Sequence, residues 1–274
     1  ISSGYSNHII IGGSNNTISN YGNSLIGGGS NHTISGNYSS NHTILHGFCN
    51  SISGDYNQYS TIINGYRNKI DDANHSFIGA GTRNTASADY SFIGGGQSNE
   101  LRSGNGVLVG GSSNLVCANG NVTLVGGCLN IASGCCTFLG GGNRNKTEGQ
   151  QSVLEGGYNN TGSGNCSFIG GGNKNIVNSG LSAVVGGSNN TASAEWSFIG
   201  GGICNLTVSG YSPAIVGGTN NTASGGCSFI GGGYKNNNAG FISTIAGGCD
   251  NCSTAQYTSV GGGRLNKTVN EYST

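Results

Sequence analysis

The chain has 274 residues, of which 55 are Gly, one is Pro and none is Met, and only 7% are charged. This excludes an ordinary helical domain, because Gly costs about 1 kcal/mol per position against Ala in a helix and no window repeats apolar residues at helical spacing. Ten acidic and ten basic residues scattered singly leave no net charge, so nothing marks a nucleic-acid or anionic-membrane partner, and no apolar run approaches the roughly 20 residues of a membrane span.

One register runs from end to end: aliphatic, any, Gly, Gly, any, any, Asn. The last position is Asn16, His32, Asn50, Asn68, Asn84, Asn99, Asn114, Asn130, Asn145, Asn160, Asn175, Asn190, Asn205, Asn221, Asn236, Asn251 and Asn266. Gly stands three residues earlier in all 17 repeats, and Ile, Leu or Val six residues earlier. Most steps are 15 residues, with those of 16 to 18 concentrated before Asn84. A register kept so strictly argues against disorder.

Each position has a physical reading. The invariant Gly suits a corner that needs positive φ or close backbone approach. The aliphatic residue faces the core from a short strand, so its neighbours point outward. The Asn suits an inward ladder whose amides satisfy the next coil and the corner backbone. The pattern predicts an all-β, single-domain parallel β-solenoid, or β-roll, of about 17 coils over residues 1–274, with longer, irregular coils over 33–83 and regular ones over 84–274. One repeat per turn is preferred, because it sets unlike coils side by side; two per turn is the alternative.

The first quarter holds all five His, at His8, His32, His42, His46 and His75, but no His, acid and nucleophile recur together. Asp71 and Asp72 are adjacent, so on a strand their side chains diverge. The second strand of these coils opens a Thr-x-Ser file, Thr17 with Ser19 and Thr33 with Ser35, which returns at Thr85, Thr161, Thr191 and Thr222. Such hydroxyls would suit an ice-binding face. Lys69 with Asp71, Glu100 with Arg102 and Lys146 with Glu148 interrupt it.

From Ser91 onward "SFIGGG" occurs four times, ending at Gly96, Gly172, Gly202 and Gly233. It is not a phosphate loop, because Asn occupies the place of the third Gly of the dinucleotide fingerprint and no helix follows. Phe77, Phe92, Phe138, Phe168, Phe198 and Phe229 flank the core position on its outward side, and all six have Gly two residues on. The coils between them carry Val153, Ala183 or Ala214, with Val185 and Val216 where the Phe coils have Gly. This large–small alternation suits a close-packed layer. It predicts a buried outer face with Trp196, Tyr90 and Tyr257 at its margin, and self-association as its use.

The segments "NTASGGCSFIGGGYKN" and "GSNNTASAEWSFIGGGICN" resemble head repeats of YadA-type trimeric autotransporter adhesins. That resemblance implies a left-handed parallel β-roll assembled as a trimer. "GSNNTISN" and "GSNHTISG" are similar to the coils of ryegrass-type ice-binding β-rolls. Both likenesses cover nearly the whole chain.

Ten Cys without a metal-like cluster suggest an oxidising setting, extracellular or at a cell or virion surface. Cys249 and Cys252 form a lone C-x-x-C, while Cys136, Cys166 and Cys227 share one outward position, too many coils apart to pair at one repeat per turn, whereas two repeats per turn would bring Cys136 beside Cys166. Of fourteen N-x-S/T sequons, Asn15, Asn31, Asn159, Asn189 and Asn220 sit at the corner and Asn74 and Asn165 just before a strand, where N-glycosylation is feasible. Those on the ladder, Asn145, Asn205 and Asn266, are expected to be buried and unmodified. The start at Ile1 and the stop at "EYST" read as uncapped ends of a mature or longer chain. The expectation is a non-enzymatic structural or adhesin-like fibre protein, without cofactor, metal or membrane insertion. Its partner is itself, as trimer or filament, with a glycan or host surface as a further partner class; the alternative is an ice-binding protein.

Overall fold

The computed structural model describes residues 7–118 and 120–273, and among these there are strands and turns but no helix. Ile1 and Thr274, on which the reading of uncapped ends rests, lie outside the described residues. The fold is all-β: two kinds of short strand alternate along the chain and stack into two parallel sheets, a β-solenoid of about 17 turns. The chain divides into two compact units, Ile1–Cys136 and Thr137–Thr274. The first holds the 16 strands from His8–Ile10 to Ile131–Ala132, or eight coils; the second holds the 18 strands from Phe138–Leu139 to Lys267–Thr268, or nine coils.

Each strand pairs in parallel with its counterpart one coil on. Phe168 lies beside Ala183 and Ile169 beside Val184, while Thr191 lies beside Leu206. One turn therefore takes one 15-residue repeat, not two. In the first unit the step stretches: Ser24 is opposite His42, and Thr33 opposite Ser51. The added residues make a further corner, where Tyr38 and Tyr56 take positive φ and Ser40 bridges Gln58.

A coil runs through first strand, first corner, ladder residue, second strand and second corner. The aliphatic residue of the first strand is buried in every coil except the first, where Ile10 is 46% exposed. In the second unit Leu154, Ile169, Val184 and Ile199 meet Val177 and Ala192 of the second strand in one cluster. The longer coils of the first unit enclose a wider section, and there the second strand supplies Ile34, Ile52 and Ile70. The second unit fills the same place with smaller or polar residues such as Ala192, Thr207, Ala223, Asn238 and Ser253.

Both corners are built on left-handed residues. Lys174 and Asn189 at the first corner, and Leu181 and Trp196 at the second, have φ of 54°, 56°, 55° and 59°. An L residue there costs roughly 1–2 kcal/mol, and each backbone N–H is rewarded by a bond to the preceding coil: Leu181 to the Asn165 carbonyl at 2.9 Å, Asn189 to that of Asn173 at 2.9 Å. The corner glycine is needed twice over. Gly157 has φ +93°, and a Cβ on it would strike the Gly172 carbonyl and lie 2.5 Å from Asn160 Nδ2.

Candidate self-association face and the asparagine ladder

The ladder asparagines follow one plan, seen at Asn175. Its Nδ2 donates to the Gly171 carbonyl of its own coil at 2.9 Å and to the Gly187 carbonyl of the next at 3.0 Å, and its Oδ1 accepts the Asn190 backbone N–H at 3.0 Å. Two donors and one acceptor are thus used inside a buried corner. The plan repeats at Asn50, Asn84, Asn99 and Asn114 in the first unit and at Asn160, Asn190, Asn205, Asn221 and Asn236 in the second. Asn145 and Asn205 are buried, but Asn266, expected to be buried, is exposed. Its backbone N–H donates to Asn251 Oδ1 at 2.9 Å, but its Nδ2 donates only to the Gly262 carbonyl, at 2.7 Å, and no described coil follows it.

Two histidines enter this buried polar structure. His32 takes a ladder position: its Nδ1 accepts the Asn50 N–H at 3.1 Å, while its buried Nε2 lacks a hydrogen-bond partner. His42 takes the inward place that Ser24 and Ser60 hold in the adjacent coils, and its Nδ1 accepts the Ser60 N–H at 3.3 Å. Burial holds both rings below the ordinary histidine value, His42 at about 4. Sequence reasoning assigns His42 no role, because nothing distinguishes a buried His from a surface one in an irregular coil.

The Phe face lies on the first strands. Phe77 pairs with Phe92, their rings stacked at 5.4 Å. From Phe138 the file reads Val153, Phe168, Ala183, Phe198, Ala214 and Phe229 in consecutive coils. Within the single chain this face is open: Phe138 is 38% and Phe198 41% exposed, and Val185 and Val216 are more so. The Phe–Gly pairing has a source inside the coil. A Cβ on Gly170 would lie 2.5 Å from the Val185 carbonyl of the next coil and 3.4 Å from Cε1 of Phe168, so the ring covers its own glycine. Trp196, Tyr90 and Tyr257 stand at the second corner, exposed and with positive φ.

On the second strands Thr17 and Ser19 pair with Thr33 and Ser35. The three interruptions are each an ion pair within one coil: Lys69–Asp71 at 2.8 Å, Glu100–Arg102 at 2.6 Å and Lys146–Glu148 at 2.5 Å. In the second unit Thr161, Thr191 and Thr222 alternate with Ile176 and Leu206.

The sequon asparagines differ in availability. Asn15, Asn159, Asn165, Asn189 and Asn220 are exposed, Asn31 less so. Asn74 is committed: its Oδ1 accepts the Gln58 N–H at 2.9 Å and its Nδ2 donates to Asp89 at 3.1 Å. All ten cysteines are unpaired within the chain and none is buried. Among the described residues no three His, Cys, Asp or Glu side chains gather as a metal site. No protein-family model matches the chain, and no curated protein matches it. The fold itself defines the class: this is a β-solenoid repeat protein.

Proposed function

We propose that the protein is a non-enzymatic structural or adhesin-like fibre component, displayed outside the cell, whose copies associate through the Phe/Val/Ala face. The observation that supports this is the apolar file from Phe138 to Phe229, seven consecutive coils in which large and small side chains alternate and Glu155 is the one charge. Stacked at about 4.8 Å per coil, it forms a longer continuous apolar strip than monomers usually expose. The exposed sequon asparagines and the thiols on the outside fit an extracellular setting, in which glycans sit at the corners and leave the strand faces free. Electron microscopy of the native protein tests the reading: trimeric spikes or bundled filaments support it, and dispersed single particles at high concentration count against it. The hydroxyl file supports an ice-binding use less well, because apolar coils and ion pairs divide it into short stretches.

A further inference from the structure

Leaving aside the three ion pairs within coils, seven basic and seven acidic residues remain from the ten of each. They are not mixed. Six of the seven basic residues, Arg67, Arg83, Arg144, Lys174, Lys235 and Arg264, lie at first corners. Five of the seven acidic ones lie on the return from the second strand to the next first strand, Asp89, Glu195 and Glu271 at second corners and Asp55 and Asp72 at the further corner of the longer coils; Glu155 lies beside a first strand and Asp250 at a first corner. The turn after the first strand and the return after the second lie at opposite edges of a coil, so the unpaired charges of the first unit are basic along one edge and acidic along the other.

The segregation is densest in the first unit. Asp55, Asp72 and Asp89 come from three consecutive coils, and Arg67 and Arg83 from two consecutive coils of the same stretch. All five are exposed, and none belongs to an ion pair. Two of the carboxylates are fixed in position: Asp55 accepts the Asn37 N–H and Asp89 the Asn74 N–H, both at 2.7 Å. Aromatic rings line both edges. The Arg67 guanidinium lies 5.0 Å from the Tyr66 ring, which stacks on Phe48; on the acidic side Tyr59, His75 and Tyr90 stack in one file, and Tyr56 is 69% exposed.

We infer that the basic edge of one copy docks on the acidic edge of a second copy. Arg67 and Arg83 stand one coil rise apart, about 4.8 Å, and the three carboxylates span three coils of the other edge, so a second copy of this chain meets each edge with the complementary charge. Arginine between carboxylates and tyrosine rings can use bidentate ion pairing and cation–π contact together. Joining unlike edges is a head-to-tail contact, which propagates sideways instead of closing as a two-fold dimer. It uses a different surface from the Phe face and stands or falls separately.

The test is sedentation of the full chain by analytical ultracentrifugation across a salt series. The wild type should show lateral association that weakens at least tenfold between about 50 mM and 500 mM NaCl, as exposed ion pairs are screened. D55N/D72N/D89N keeps acceptors of the kind that Asn74 itself supplies to Gln58, so it should melt like the wild type and lose the salt-dependent association. R67E/R83E makes both edges of the first unit acidic and D55K/D72K/D89K makes both basic. Neither should associate alone, and an equimolar mixture should recover it. A folded D55N/D72N/D89N that associates like the wild type would overturn the inference, as would two folded charge-reversed variants that fail to recover on mixing. F168D/F198D should leave the salt-dependent step intact.

Discussion

Asn160 Oδ1 accepts the backbone N–H of Asn175 at 2.8 Å, and that single bond ties two coils at a buried corner. Asn175 repeats the arrangement toward Asn190, so the ladder is a chain of carboxamides in which each is satisfied by its neighbours. Asn175→Ala would leave the Gly171 and Gly187 carbonyls without their side-chain donor and the Asn190 N–H without an acceptor. A loss of about 3 kcal/mol is expected, since each buried polar group left unmet costs about 1–3 kcal/mol and the effects overlap. Hydrogen exchange should show it as faster opening centred on the Asn175 coil.

Glycine does not have one role throughout. Gly170→Ala should destabilise strongly, by more than about 2 kcal/mol, because the added methyl meets the Val185 carbonyl at 2.5 Å. At Gly186 a Cβ would meet nothing within 4 Å and φ is not positive. Gly186→Ala should therefore be neutral or stabilise by about 0.5 kcal/mol through the unfolded chain. Paired thermal melts of the two variants separate the cases.

The histidines give the first unit a pH dependence of fixed sign. His42 is held at about 4 against an ordinary 6.5, and burial moves His32 in the same direction. The unfolded chain thus takes up protons more readily than the folded one. The stability these residues contribute is complete above pH 6.5 and is lost as pH falls from there through about 4. His32→Asn places the standard ladder residue in its slot and should stabilise the protein by about 1 kcal/mol at neutral pH. H32N/H42N should flatten the fall in melting temperature between pH 6.5 and 4; an unchanged slope would show that these rings are not its source.

The fold could be read from the sequence because three positions per coil each have a single physical requirement. Only Gly fits at Gly157, only an aliphatic residue fills the place of Ile169, and only a carboxamide makes the three bonds of Asn175. Other features left no such mark. Leu181, Trp196 and Ile242 adopt positive φ although their residue types disfavour it, because the stacking of corners imposes it. The further corner at Tyr38 and Tyr56 appears in the sequence only as a longer step. The outward faces were recognised as alternating files. That Phe168 rests on its own Gly170 leaves no mark in the sequence, because a compensating pair looks the same whether the gap is filled from within the coil or by a partner.

The hydroxyl file makes its own forecast. Thr161, Thr191 and Thr222 are each separated by a coil bearing Ile176 or Leu206, so no flat hydroxyl array extends over consecutive coils of the second unit. Ice-growth and recrystallisation assays should show no shaping and no inhibition at micromolar protein.

On the proposed function, the Phe face joins copies of the chain. Its most direct test is the molar mass of F168D/F198D against wild type by light scattering, in high salt so that edge contacts are screened. Both residues lie on the open side of their strands, and each has a buried Ile beside it that the substitution leaves in place. The wild type should have the mass of several chains and the folded variant should be reduced to smaller species. A folded variant with the wild-type mass, or a wild type that is already a single chain, would contradict it.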